Sequence, residues 1–165
     1  MFVQISLFAF VGLMVLAAGW DALHFKIPNW LSASVALLFP VAAILAGFGW
    51  ADWGNHGLAG LIGLVLGMAL FAPGWIGGGD AKLFAAASFW FGWPGFSGFL
   101  MHTALAGGVL VLILILSRKV APMMGISAAR TKNTLLAESA PVPYGIALTA
   151  GALWSLPASV WMVHI

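Results

Sequence analysis

Asp21 and Asp80 stand where a membrane chain tolerates carboxylates least. Asp21 directly follows the apolar run 2–20, and Asp80 closes Gly77-Gly78-Gly79-Asp80 after another long apolar run. The 165 residues include only four acidic ones, so these two positions call for a chemical reading. Carboxylates a few ångströms apart cannot both ionise cheaply, and such a pair holds one proton between them. One member can then act as general base on a water while the other donates a hydrogen bond to a scissile carbonyl. That is the minimum equipment of an aspartic peptidase working on membrane-tethered substrates. Two plainer readings stay open on the residues alone. Asp80 could be a helix N-cap after a flexible glycine turn, and Asp21 an interfacial charge at a helix end.

The elements that must position the pair are membrane helices. Hydrophobic residues make up 63% of the chain, charged residues 6%, and mean hydropathy is +1.10, whereas soluble domains are about 25% charged. A span needs about 20 apolar residues. The segments 2–20, 30–49 (with Pro40 as a kink), 57–76, 83–93, 99–117 and 146–163 predict six helices. The break Trp93-Pro94-Gly95 separates the fourth from the fifth, and the short fourth either starts at Asp80 or lies partly in protein. The turn Pro141-Val142-Pro143-Tyr144-Gly145 precedes the sixth. The first run lacks a positive n-region and is too long for a signal h-region, so it reads as an uncleaved span. The expectation is an all-α polytopic bundle, one integral-membrane domain over 1–165, with no basic block for nucleic acid and no cysteine chemistry.

Charge sets the orientation. In a six-span chain Lys26, Lys82, Arg118, Lys119, Arg130 and Lys132 all fall on one side. The positive-inside bias makes that side cytoplasmic, with both termini outside. Asp21 and Asp80 then share the cytoplasmic face, and Asp52 lies opposite.

Around the pair, Gly77, Gly78 and Gly79 allow positive φ and close backbone approach, and a substrate strand could lie against them. Lys26 and Lys82 could orient the pair or meet an acidic substrate group, although topology alone accounts for both. His24, three residues after Asp21, adds one ligand where a metal site needs more, so no metal and no cofactor are expected. His56, His102 and His164 have no assigned role. Gly60, Gly63 and Gly67 share a face of the third helix and predict close helix packing. Trp20, Trp30, Trp50, Trp53 and Trp93 read as interfacial anchors. Loop 118–140 joins cationic residues to Met123, Met124, Ile126, Leu135 and Leu136, a composition suited to an anionic lipid surface.

Asp21 followed by Ile27-Pro28-Asn29, then Gly77-Gly78-Gly79-Asp80-Ala81-Lys82, then Pro143-Tyr144-Gly145 opening the last helix, resembles the type IV prepilin peptidases. These are membrane aspartic peptidases with a GxGD signature. The resemblance covers essentially the whole chain and implies that Asp21 and Asp80 are the catalytic pair. Pro143, Tyr144 and Gly145 support them, and the substrate is the leader of a prepilin or pseudopilin, cut at the cytoplasmic face of a bacterial inner membrane. Longer members also methylate the new N-terminus and carry a cytoplasmic segment with paired cysteines. This chain has one residue before its first span and no cysteine. It looks like the short, peptidase-only form associated with tight-adherence (Flp) pili, without N-methyltransferase activity. A carrier would place its carboxylates nearer the bilayer midplane, and a purely structural subunit would need neither.

Overall fold

The computed structural model describes residues 1–124, 126, 134–137 and 140–163, and every regular element among them is helical. Helix α1 (Phe2–His24) is an almost uninterrupted apolar run. It stops at Phe25, whose left-handed φ of 51° turns the chain and whose N–H closes on the Asp21 carbonyl at 2.8 Å. Extended Pro28 then caps α2 (Asn29–Leu45). Proline presets its own φ and keeps the preceding residue out of the helical region, so the Ile27-Pro28 turn is encoded locally.

Helices α3 (Trp50–Phe71) and α4 (Gly78–Met123) begin with the same device. Gly49 N–H donates to Asp52 Oδ2 at 2.9 Å, and Gly77 N–H donates to Asp80 Oδ2 at 3.1 Å. An acid in the first turn satisfies an orphan donor and complements the helix dipole. Asp80 is therefore the third residue of its helix, not its N-cap.

α4 is two helices, 78–91 and 93–123, joined at Gly92 with φ 61° and ψ 176°. The expected break at Trp93-Pro94-Gly95 comes slightly late. Pro94 falls in a first helical turn, where a missing N–H is harmless, and Gly92 makes the bend because only glycine takes that backbone freely. Helix α5 (Tyr144–Ser155) also departs from expectation. The predicted span 146–163 is α-helical only to Ser155, and 3₁₀ turns at Leu156–Ala158 and Val160–Val163 follow. Pro157 cannot continue the α-helical hydrogen bonds, and the turns fold Trp161 into the core.

The 78–91 segment is the centre of the bundle. α4 packs against α2, α3 and α5, and α1 packs against α2 and α5. Gly60 meets the Phe89 ring, Gly63 meets Ser88, and a Cβ on Gly67 would lie 2.9 Å from Ala81 O. The predicted glycine face thus sits directly on α4. Phe10 stacks on Trp90 at 4.4 Å. Trp90 Nε1 donates to Val35 O at 3.0 Å, and Trp161 Nε1 donates to Trp90 O, so both buried indoles are satisfied. His56 is buried in the same aromatic cluster, with Nδ1 on Phe89 O.

α1, α3 and α4 are long and apolar enough to cross a bilayer, and α2 is a shorter apolar helix. At 1.5 Å per residue, 78–91 rises about 21 Å, short of the ~30 Å hydrocarbon core. Its burial by neighbouring helices makes that length tolerable. Large apolar side chains such as Phe8, Leu61 and Leu112 are exposed on the outer faces, where lipid belongs. The chain is a membrane helical bundle. Trp20, Trp30, Trp50 and Trp93 are exposed at helix ends, as anchors would be, whereas Trp53 is half-buried edge-on to Phe39. Arg130, Lys132 and His164 lie outside the described residues.

Candidate active site

The last turn of α1 and the first turn of α4 bring Asp21 and Asp80 to one cavity of about 360 Å³. Both side chains are buried, at 3% and 8% exposure, and they lie within coulombic range of each other. The walls come from three junctions: Phe25 after α1, Gly74–Gly77 before α4, and Pro141 and Val142 before α5 with its first residue, Tyr144.

Each carboxylate is held by one backbone N–H from a glycine. Gly77 serves Asp80, and Gly145 donates to Asp21 Oδ2 at 2.8 Å. Asp80 Oδ1 is buried without a hydrogen-bond partner. Each aspartate is therefore oriented through Oδ2, and Asp80 keeps one acceptor oxygen for another molecule.

The glycines act through space rather than through positive φ. Gly77 has φ −71°, and the positive-φ glycines are Gly47, Gly74 and Gly92, so the expected left-handed backbone is absent from 77–79. A Cβ on Gly79 would lie 2.9 Å from Ile27 O, and one on Gly145 would lie 3.0 Å from Asp21 Oδ2 and 3.1 Å from Ile27 Cδ1. Buried Ile27 thus sits against the first turns of α4 and α5, touching the glycine next to Asp80 and the glycine that holds Asp21. Its place in Ile27-Pro28-Asn29 was visible in the sequence, but apolar residues are too common here for that to signal a role. Pro143 is fully buried, and Tyr144 lines the cavity.

In the sequence Arg118 reads as a topology determinant and as part of the cationic loop 118–140. Its Nε donates to Leu135 O at 3.1 Å and its Nη2 to Ala140 O at 2.8 Å, which ties α4 to the chain just before Pro141. Nothing near Arg118 in sequence announces those acceptors.

Lys26 is exposed. Lys82 donates to Asn29 Oδ1 at 2.8 Å and lines a groove separate from the aspartate cavity. His24 is exposed and stacks on Trp20, with Nδ1 3.1 Å from Trp20 O. Among the described residues no three His, Asp or Glu side chains are grouped to hold a metal.

A second cavity of about 620 Å³ opens beside the first and shares Ile76, Asp80 and Tyr144 with it. Its walls are otherwise apolar apart from Thr103, and come from α3, both segments of α4 and α5. An extended peptide could pass the aspartates in the smaller cavity and keep an apolar stretch in the larger.

The family model of the type IV leader peptidase family matches residues 8–116. The match includes Asp21, Gly77–Gly79 and Asp80, and ends before Pro143–Gly145. No curated protein and no solved structure matches the chain.

Proposed function

The chain belongs to the type IV leader peptidase family, and from that premise we propose that it is an aspartic endopeptidase removing the leader of Flp-type prepilins at the cytoplasmic face of the bacterial inner membrane. Residues 1–165 act as one peptidase domain, and Asp21 and Asp80 activate the water. The observation that carries this reading is the shared cavity, in which two buried carboxylates each spend one oxygen on a glycine N–H.

The pair binds one water and one proton. The ionised carboxylate takes a proton from water as the water oxygen attacks the scissile carbonyl carbon. The protonated partner donates to the carbonyl oxygen, which stabilises the tetrahedral intermediate. Collapse breaks the C–N bond, and a carboxyl proton passes to the leaving amine. Asp80 Oδ1, without a partner, suits the water. Gly77 and Gly145 keep both carboxylates from rotating, and buried surroundings strengthen every charge interaction.

The two cavities support the substrate class that the family implies. A leader with its cleavage site fits the polar cavity, and an adjoining apolar segment fits the 620 Å³ cavity lined by residues such as Leu100, Val111 and Leu148. Lys26, Lys82, Arg118 and Lys119 share the end of the bundle that holds the pair, the side that the positive-inside bias assigns to the cytoplasm. The activity is leader cleavage alone, without methylation of the new N-terminus.

Co-expression with a candidate Flp prepilin tests this directly, with leader removal followed by gel shift. Asp21→Asn and Asp80→Asn should each abolish processing while the protein stays inserted and abundant, because asparagine keeps the shape and cannot serve as base. Loss of at least 10²–10⁴-fold is about the scale of general acid–base catalysis. Asp52→Asn, in the first turn of α3, should process normally. Wild-type cleavage by either site variant would rule out the aspartic mechanism.

A further inference from the structure

A groove of about 610 Å³ runs between α2, α3 and the 78–91 segment, on a different face from the aspartate cavity. Ala33, Ala36, Gly57, Gly60 and Ala85 make much of its wall. These small residues leave a slot rather than a packed seam. From Asn29 to Ala36 the slot follows α2 for about 10 Å at 1.5 Å per residue.

Its polar groups gather at one end. Lys82 Nζ donates to Asn29 Oδ1, which leaves the Asn29 amide N–H₂ and further ammonium protons as donors. Asn29 is also the first residue of α2, where no side chain caps the backbone N–H groups and the helix dipole favours an anion. One turn along, Ser32 lines the groove, is 5% exposed, and has an Oγ without a hydrogen-bond partner. An orphaned buried hydroxyl carries a desolvation cost, so a bound acceptor there would be favoured.

We propose that this groove binds one anionic phospholipid, with its phosphodiester at Lys82 and Asn29, an ester carbonyl at Ser32, and an acyl chain in the alanine- and glycine-lined slot. Donors, hydroxyl and apolar slot follow one another in the order of a phospholipid's own groups. The net positive head end selects phosphatidylglycerol over a zwitterionic lipid, since the latter brings a cation towards Lys82. The site is independent of the proteolytic reading.

The test uses the full chain in nanodiscs of phosphatidylcholine containing phosphatidylglycerol, then detergent extraction and native mass spectrometry. Wild type should retain one phosphatidylglycerol with a preference of about tenfold, the scale of one charge-assisted hydrogen bond. Lys82→Gln should erase that preference. Gly57→Leu should lower retention of either lipid, because a Cβ at Gly57 meets nothing within 4 Å and a larger side chain projects into the open slot. Equal retention of both lipids by wild type, which needs no variant, would overturn the proposal. Wild-type retention by both variants would overturn it as well. Inorganic phosphate that displaced the lipid or raised Tm as much would make this a free-anion site and sink the lipid assignment. Bound lipid mass is read without any cleavage, so this outcome and that of the aspartate variants separate cleanly.

Discussion

Gly145 and Asp21 are 124 residues apart in sequence and 2.8 Å apart at the hydrogen bond that orients the carboxylate. A methyl group on Gly145 would press on Asp21 Oδ2 at 3.0 Å and on Ile27. Gly145→Ala should therefore lower leader cleavage by about 10- to 100-fold, the cost of a misplacement well under 1 Å at a reacting group. Membrane abundance should barely change. Gly98→Ala, where a Cβ meets nothing within 4 Å, is the matched control; equal activity of the two variants would remove Gly145 from the site. Gly79→Val makes the complementary case, because its Cβ runs into the Ile27 carbonyl. Cleavage should fall further than abundance when both are measured on one sample. Parallel loss of the two would make the Gly77–Gly79 turn a packing feature only. The residue identities were legible in the sequence, since rare carboxylates and clustered glycines stand out in an apolar chain. The reason for the glycines was not, because close approach to Ile27 is a property of two distant backbones.

At the scale of elements, the contact between α3 and α4 was the most readable. Gly60, Gly63 and Gly67 repeat at helical spacing, and each meets α4 in the folded chain. Gly67→Val should push the helices apart against the Ala81 backbone and lower membrane abundance severalfold. Gly54→Val, with open space around its Cβ, should not. Equal abundance of the two on a quantitative blot would contradict the packing. The bend in α4 makes a second test. Gly92→Ala adds positive-φ strain and a methyl 2.9 Å from the His56 ring. A cost of about 2 kcal/mol or more is expected from strain plus overpacking, seen as a Tm lowered by at least several degrees in detergent. An unchanged Tm would mean the bend relocates freely. The ends of elements were less legible. Breakers such as Pro94 and Pro157 mark a neighbourhood, but whether a proline starts a helix or stops one depends on what packs around it.

The whole molecule has a sidedness that labelling can read. Cysteines introduced singly into this cysteine-free chain should react with an impermeant thiol reagent from outside at Gly54. At His24 and Lys119 they should react only when the cytoplasmic face is opened. Labelling of Lys119 from outside would invert the charge-based orientation and put the aspartate cavity on the wrong side for a cytoplasmic leader. Chelator treatment should leave cleavage intact, because the proposed water is activated by carboxylates. Inhibition by chelator with rescue by zinc would instead revive Asp21 and His24 as metal ligands.

Composition and short spacings already specify the solvent, the helical class, the pair of rare carboxylates and the glycine face of α3. Each of these is written in composition or in a spacing of a few residues, and helices satisfy their backbones locally. The long-range packing places both aspartates in one cavity and sets Ile27 against the first turns of α4 and α5. It also sets Gly145 on Asp21 and lets Arg118 tie α4 to the chain entering α5. Those contacts join segments far apart in the chain, where neither periodicity nor a turn signal records which partner the packing will bring.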